Sequence, residues 1–243
     1  MVNNAKREEA LKKLMEIARN RTIRLYGHVE DFYRGGRDWP VDWQNELGNG
    51  YFKDKKRRED ALNSTLERLV SANFPDTVDQ INKEKSLIRL ILDAGANPNF
   101  YSYFYKKPLF DQFLSERKSY AALEIAKTDG FTYPQNPDRT FEKLADSLTF
   151  YLEWKAPYPG ETKEESAIHA QNCTDRKDLV HLLFQKGCYP RDPAIFEKLV
   201  PIVLEKEPDF FDKKKQQVIS HLQRAKTPLQ IYNALMGQGK EKS

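Results

Sequence analysis

Three segments of this sequence end in the same way, and they restrict the fold more than any other feature. LIRLILDAGANPN, ALEIAKTDGFTYP and DLVHLLFQKGCYP each join a short apolar helical pattern to a glycine, namely Gly95, Gly130 and Gly187. Glycine readily adopts the left-handed backbone conformation that ends many helices, and a proline soon after it prevents the helix from continuing. The pattern therefore predicts three similar helix ends.

The spacing of these glycines predicts a repeated structural unit. Gly130 follows Gly95 by 35 residues, whereas Gly187 follows Gly130 by 57, which is 22 more. A polar stretch near residues 155–174 accounts for the excess, so we predict an insertion there that is the most mobile internal part of the chain. The helix that ends at Gly187 is then expected to begin near Arg176. No such unit can bury its apolar face alone, so each unit is expected to stack on a neighbour.

Helical patterns cover most of the chain, which predicts an all-α fold. Thr77 and Gln80 fit a capping box at the start of one helix, and Asp192 with Pro193 fits a cap followed by a first-turn proline. Pro201 is expected to end or kink the helix that contains it. Further amphipathic segments lie at about 5–20, 57–70 and 212–225. The core face before Gly95 is expected to contain Leu87, Ile88, Leu90, Ile91 and Leu92.

These units resemble the ankyrin repeat, which has a period near 33 residues and two short helices, the second ended by glycine. LIRLILDAGANPN is similar to the family pattern IVKLLLEAGADVN, and KPLF at 107–110 stands where the family has TPLH. GHVE at 27–30 is similar to the turn between its helices. Lys107 and Phe110 replace the Thr and His whose hydrogen bonds normally hold adjacent turns together, so the repeats are divergent.

The resemblance covers about residues 55–225 and implies an all-α, ankyrin-like helical solenoid of about four irregular helix pairs. Residues 1–54 would then form an N-terminal helical cap and an aromatic connection, and residues 226–243 a C-terminal tail. A different helical solenoid and an irregular helical bundle are the structural alternatives. Short, degenerate arrays of this kind resemble eukaryotic adaptors and effectors of intracellular bacteria.

Five aromatic rings fall within six positions of NPNFYSYFYKKPLF, at Phe100, Tyr101, Tyr103, Phe104 and Tyr105. We call residues 100–105 the aromatic finger. They could form a buried strand, a plug under a loop or an exposed surface for a partner. The resemblance implies a projecting hairpin beside a concave groove, so we expect all five rings to bind a partner protein. The alternative is that two or three of them pack back onto the fold.

Histidine and cysteine side chains gather in one window, at His169, Cys173, His181 and Cys188. Two thiols and two imidazoles could bind zinc, but their spacing matches no zinc-finger pattern. A cysteine and histidine nucleophile pair would need an orienting residue that the sequence does not identify. We therefore predict no catalytic residue, no metal site and no cofactor. A small enzyme that uses His169 and Cys173 is the alternative.

Composition indicates an ordinary folded protein rather than one with a strong electrostatic field of a single sign. The 243 residues include 40 basic and 36 acidic side chains, which gives a net charge of +4. This small net charge argues against a nucleic-acid partner. A nucleic-acid-binding helical protein is the second alternative. No apolar run approaches the ~18 residues of a membrane span, and the N-terminus lacks a secretory signal pattern. Two cysteines indicate a reducing compartment.

The function predicted from these features is non-enzymatic protein–protein interaction, with a concave groove and the aromatic finger presented to another protein. No small-molecule substrate is expected. The predicted location is the cytoplasm, including a host-cell cytoplasm reached by export without a signal peptide.

Overall fold

The computed structural model describes residues 4–19, 55–71, 75–133, 136–153 and 161–222. Within these ranges the chain is mostly helical, which confirms the all-α prediction, and it contains one short antiparallel pair of strands. The elements are α1 (Asn4–Arg19), α2 (Lys55–Ser71), α3 (Val78–Asp93), β1 (Tyr101–Ser102), β2 (Lys107–Pro108), α4 (Leu109–Ser115), α5 (Ser119–Lys127), α6 (Pro137–Glu153), α7 (Lys163–Gln185), α8 (Pro193–Lys206) and α9 (Phe210–Leu222). The GHVE turn, the aromatic connection before α2 and the C-terminal tail lie outside the described residues.

Side-chain caps begin two helices where the sequence predicts them. The Thr77 hydroxyl accepts from the Gln80 amide at 3.2 Å, and the Gln80 side chain accepts from the Thr77 amide at 3.2 Å. The Asp192 carboxylate accepts from the Ala194 amide at 2.9 Å, with Pro193 in the first turn of α8. Both predictions are confirmed, because each cap satisfies amides that have no partner inside the helix.

The three glycines that follow helices adopt positive φ, as the sequence predicts. Gly95, Gly130 and Gly187 have φ values of 110°, 83° and 81°. At Gly95 the turn carries paired backbone bonds, from the Gly95 amide to Leu92 and from the Ala96 amide to Ile91. The same pair forms at Gly187, and both turns therefore close the helix in the Schellman manner.

Helix α7 begins earlier than the sequence indicated. It starts at Lys163 rather than near Arg176, so residues 163–174 of the expected mobile insertion are helical. The cause is a second capping box, in which the Thr162 hydroxyl accepts from the Glu165 amide at 3.2 Å and the Glu165 carboxylate accepts from the Thr162 amide at 2.8 Å. The expected helix start near Arg176 is therefore wrong, whereas the predicted mobility of the insertion stays a prediction and residues 155–160 lie outside the described ranges.

Helix α8 contains Pro201 without ending there. It extends from Pro193 to Lys206, five residues beyond the proline. Proline removes the hydrogen bond to the carbonyl of Glu197, and both residues are exposed. Water can therefore satisfy that carbonyl, which lets the helix continue.

The chain divides into two compact units, one of residues 1–132 with 161–168 and one of residues 133–160 with 169–243. In the first unit α1 packs on α3, α2 packs on α3 and α4, and α5 packs on α3 and α4. Helix α5 is buried at every position from Ser119 to Ala126, as expected for a helix enclosed by its neighbours. Ile88 and Ile91 are fully buried, but Leu90 is only half-buried, so its assignment to the core is wrong.

Five polar contacts in the first unit join residues that are 33 to 36 positions apart in the chain. The Asn97 amide donates to the Asn63 side chain at 2.8 Å, and these residues are 34 positions apart. Four further contacts span 33 to 36 positions, between Glu67 and Ser102, Glu84 and Tyr120, Arg89 and Glu124, and Asn99 and Thr132. Two of these contacts, Glu84–Tyr120 and Arg89–Glu124, join helix α3 to helix α5.

The second unit has a core of aromatic side chains. Phe184 lies at its centre, with ring centroids of Tyr189 at 5.2 Å and of Phe141 and Phe196 at 5.5 Å. The Phe141 and Tyr189 rings meet Phe184 edge to face, the arrangement that aromatic quadrupoles favour. These rings come from α6, α7, α8 and the segment after α7, so they hold the unit together.

Candidate functional site

The aromatic finger forms most of a β-hairpin between α3 and α4. Strand β1 pairs antiparallel with β2, with Tyr101 opposite Pro108 and Ser102 opposite Lys107. The pairing is extended by the Leu109 amide, which donates to the Phe100 carbonyl at 3.0 Å. Residues 103–106 make the turn, and Lys106 has a φ of 54°, a left-handed value that a tight turn imposes.

Ser102 fixes the hairpin to the helical body. Its side chain is fully buried, its hydroxyl donates to the Glu67 carboxylate on α2, and its oxygen accepts from the Tyr105 amide at 2.9 Å. One hydroxyl therefore connects the strand, the turn and a helix. The sequence pattern did not single out Ser102 or Glu67, although a single serine among five aromatic residues was a usable signal.

The five predicted rings divide into two groups. Tyr103 and Phe104 in the turn are 86% and 80% exposed, and Tyr101 is 48% exposed. Phe100 and Tyr105 are half-buried. The residues of β1 alternate as strand residues do, with Tyr101 outward and Ser102 inward. The finger is therefore neither a buried strand nor a core plug, and two of its rings contact the fold.

The exposed rings support one another in perpendicular pairs. The ring centroids of Tyr101 and Tyr103 are 5.9 Å apart with planes at 74°, and those of Phe104 and Tyr105 are 4.9 Å apart at 87°. Because the half-buried Tyr105 contacts Phe104, this exposed ring is held in place from one side. An aromatic surface held in this way loses little side-chain entropy when it binds.

The histidine and cysteine window lies in the second unit and shows no activated thiol. His169 and Cys173 lie one turn apart on α7, and Cys188 is buried after it. Burial raises the pKa of the Cys173 thiol and raises that of Cys188 to about 12. Both thiols therefore stay protonated near neutral pH, whereas a cysteine nucleophile needs a lowered pKa. Among the described residues, no three His, Cys, Asp or Glu side chains are grouped as metal ligands.

The buried ionisable groups of the first unit serve the fold. The Lys118 ammonium is 2% exposed and donates to the Leu69 carbonyl at 2.7 Å, near the end of α2. Burial lowers the pKa of Lys118, and the nearby Glu84 carboxylate offsets part of that effect. Glu84 accepts from the Tyr120 hydroxyl. These contacts satisfy a helix end and a buried carboxylate, which is a structural role.

Comparisons with protein-family models, with curated proteins and with solved structures found no match to this chain. In the part of the chain that the structure describes, no helix is both long and apolar enough to cross a membrane.

Proposed function

We propose that this chain is a non-enzymatic protein-interaction module whose aromatic finger contacts a partner protein. The observation that carries the proposal is the exposure of Tyr103 and Phe104 on a hairpin that Ser102 fixes to α2. Aromatic side chains dominate binding energy at interfaces, and an ordered hairpin presents them without a large entropy cost. Tyr101 extends this surface, and Phe100 and Tyr105 support it.

The proposed architecture is an ankyrin-like solenoid of about four irregular helix pairs, with α1 as an N-terminal cap and a concave groove beside the finger. Its support is that five polar contacts of the first unit join residues 33 to 36 positions apart, a separation close to the period of that repeat. Further support for this architecture comes from the ends of α3 and α7, where the turns at Gly95 and Gly187 carry the same pair of backbone hydrogen bonds.

Asparagine side chains would replace the missing Thr and His of the repeat. The Asn99 side chain donates to the Gly130 carbonyl at 2.7 Å and accepts from the Thr132 amide at 2.7 Å, which links two successive turns. A second asparagine, Asn63 within α2, accepts from the Asn97 amide in the turn after α3 at 2.8 Å. Lys107 and Phe110 are therefore free to take other roles in a divergent repeat.

The proposal is tested by capture from a cell lysate with quantitative mass spectrometry. The full-length chain, a Tyr103→Ser/Phe104→Ser variant and a Lys215→Ser/Gln216→Ser control are immobilised at equal density. The control residues are exposed on α9 of the second unit. We expect at least one protein to be retained by the chain and the control but reduced about tenfold by the finger variant. Equal capture by all three would contradict a finger-dependent interaction.

A further inference from the structure

The hairpin carries positive charge that the described part of the chain does not neutralise. Between Ala94 and Phe110 the only charged residues are Lys106 and Lys107. Neither makes an ion pair with a described residue, and the Lys107 ammonium instead donates to the Ser115 hydroxyl at 3.2 Å. Other lysines of the same unit do reach carboxylates, in the pairs Lys6–Asp93, Lys83–Asp79 and Lys127–Glu124.

The carboxylate that contacts the hairpin is already engaged. The Glu67 carboxylate accepts a hydrogen bond from the Ser102 hydroxyl, and this contact holds the hairpin on α2. Lys106 is exposed at the end of the turn, directly after the rings of Tyr103, Phe104 and Tyr105. The turn therefore places Lys106, which has no ion pair with a described residue, beside apolar surface, and Lys107 follows it on β2. A carboxylate-bearing surface would complement this combination.

The two exposed rings of the turn need different surroundings when buried. Phe104 has no polar atom and requires apolar neighbours, whereas Tyr103 requires a hydrogen-bond acceptor for its hydroxyl. A carboxylate can accept from that hydroxyl and pair with a lysine ammonium. The same partner group can therefore satisfy both the ring and the cation beside it.

We infer that the aromatic finger, with Lys106 and Lys107, binds an acidic protein segment in which apolar side chains alternate with Asp or Glu. This inference rests on the proposed function and adds the chemistry of the partner. Phe104 packs against the apolar side chains, and the lysines and the Tyr103 hydroxyl contact the carboxylates.

Two other classes of macromolecule fit the finger less well. Recruitment to an anionic bilayer generally uses a cluster of ~4–8 basic residues, and this hairpin offers only Lys106 and Lys107. Single-stranded nucleic acid stacks successive bases on aromatic faces, but here neighbouring rings stand at 74° and 87° to one another. The geometry favours a protein segment over either.

The test uses random peptides displayed on phage and selected on the full-length chain. Peptides are counter-selected on the Tyr103→Ser/Phe104→Ser variant, so only finger-dependent binders remain. We expect the remaining peptides to combine apolar residues with two or more Asp or Glu, and to lose about tenfold in affinity when salt is raised or when the chain carries Lys106→Glu/Lys107→Glu. A selected peptide with its acidic residues replaced by lysine should regain affinity for that charge-reversed variant.

Three outcomes would overturn the inference. Finger-dependent peptides without carboxylates would show that the partner chemistry is wrong while leaving the interaction function intact. A library that yields no finger-dependent peptide would also overturn it, and it would leave the lysate comparison to decide the function separately. Finger-dependent sedimentation with phosphatidylcholine and phosphatidylserine vesicles, without any acidic peptide, would assign the surface to lipid instead. Melting curves of each variant confirm that the fold is retained.

Discussion

At the scale of single residues, Gly95 shows how one position can meet two requirements. Its φ of 110° is a conformation that side chains with a Cβ rarely adopt. An added Cβ would also lie 2.5 Å from the Nη2 atom of Arg7, whose Nε donates to the Ala94 carbonyl at 3.0 Å. The glycine therefore both ends α3 and admits the guanidinium of α1.

We expect Gly95→Ala to destabilise the first unit by more than Gly130→Ala does. Left-handed strain costs about 1 to 2 kcal/mol in either variant. At Gly95 the displaced Arg7 contact adds about 1 kcal/mol, whereas nothing lies within 4 Å of a Cβ at Gly130. Urea unfolding of both variants measures the difference. Equal losses would mean that Arg7 contributes nothing to stability.

The single buried side chain of Lys118 should make the stability of the first unit depend on pH. Burial lowers its pKa in the folded chain below the usual 10.5, so between those two values the unfolded chain binds more protons. Stability therefore rises with pH in that window, because the folded chain releases the Lys118 proton at a lower pH than the unfolded chain does. Lys118→Met should remove the rise, which urea unfolding of the first unit at each pH measures. A rise unchanged in this variant would assign it to another group.

At the scale of elements, the loss of apolar side chains should cost far less stability in the hairpin than in helix α3. Tyr103 and Phe104 are mostly exposed, so replacing both with Ser should change the free energy of unfolding by about 1 kcal/mol or less. Ile88 is fully buried, and Ile88→Ala should cost about 2 to 5 kcal/mol through lost contacts and a cavity. Thermal and urea unfolding measure both variants. Similar losses would show that the finger rings are part of the core.

At the scale of the whole molecule, alkaline pH should act oppositely on the two units. In the second unit burial raises the pKa of Cys188 from 9.0 and of Tyr189 from 10.0, each to about 12. The stability that these neutral groups contribute is complete below those ordinary values and is lost as pH rises above them. Lys118 acts in the reverse direction in the first unit, within its own window.

Hydrogen exchange with mass spectrometry, corrected for the intrinsic rate at each pH, separates the two units. As pH rises above 9.0 we expect protection to fall in peptides of the second unit and to hold or rise in those of the first, up to the ordinary lysine value of 10.5. A Cys188→Ala/Tyr189→Phe variant should lose the fall. Parallel changes in both units would show that they open as one.

Features that depend on a few neighbouring residues could be read from the sequence. Local residue types determine the Thr77 capping box and the Asp192 cap, because each cap satisfies backbone amides within about one turn. They also determine the glycine-ended helices, because each glycine adopts the positive φ that ends its helix. The concentration of rings at 100–105 was equally visible. The start of α7 was missed although the Thr162 and Glu165 signature is also local.

Burial was decided by contacts between distant residues, and only the tertiary structure could supply them. Ser102 is inward and Tyr103 outward because Glu67, 35 residues earlier, accepts the serine hydroxyl. Leu90 fits the apolar pattern of α3 as well as Ile91 does, but the helices packed on α3 cover only Ile91 completely. The sequence by itself determined that the described chain is mostly helical and where its aromatic rings are concentrated. The packing around the hairpin determined which of those rings are exposed, because exposure depends on neighbours that local pattern does not specify.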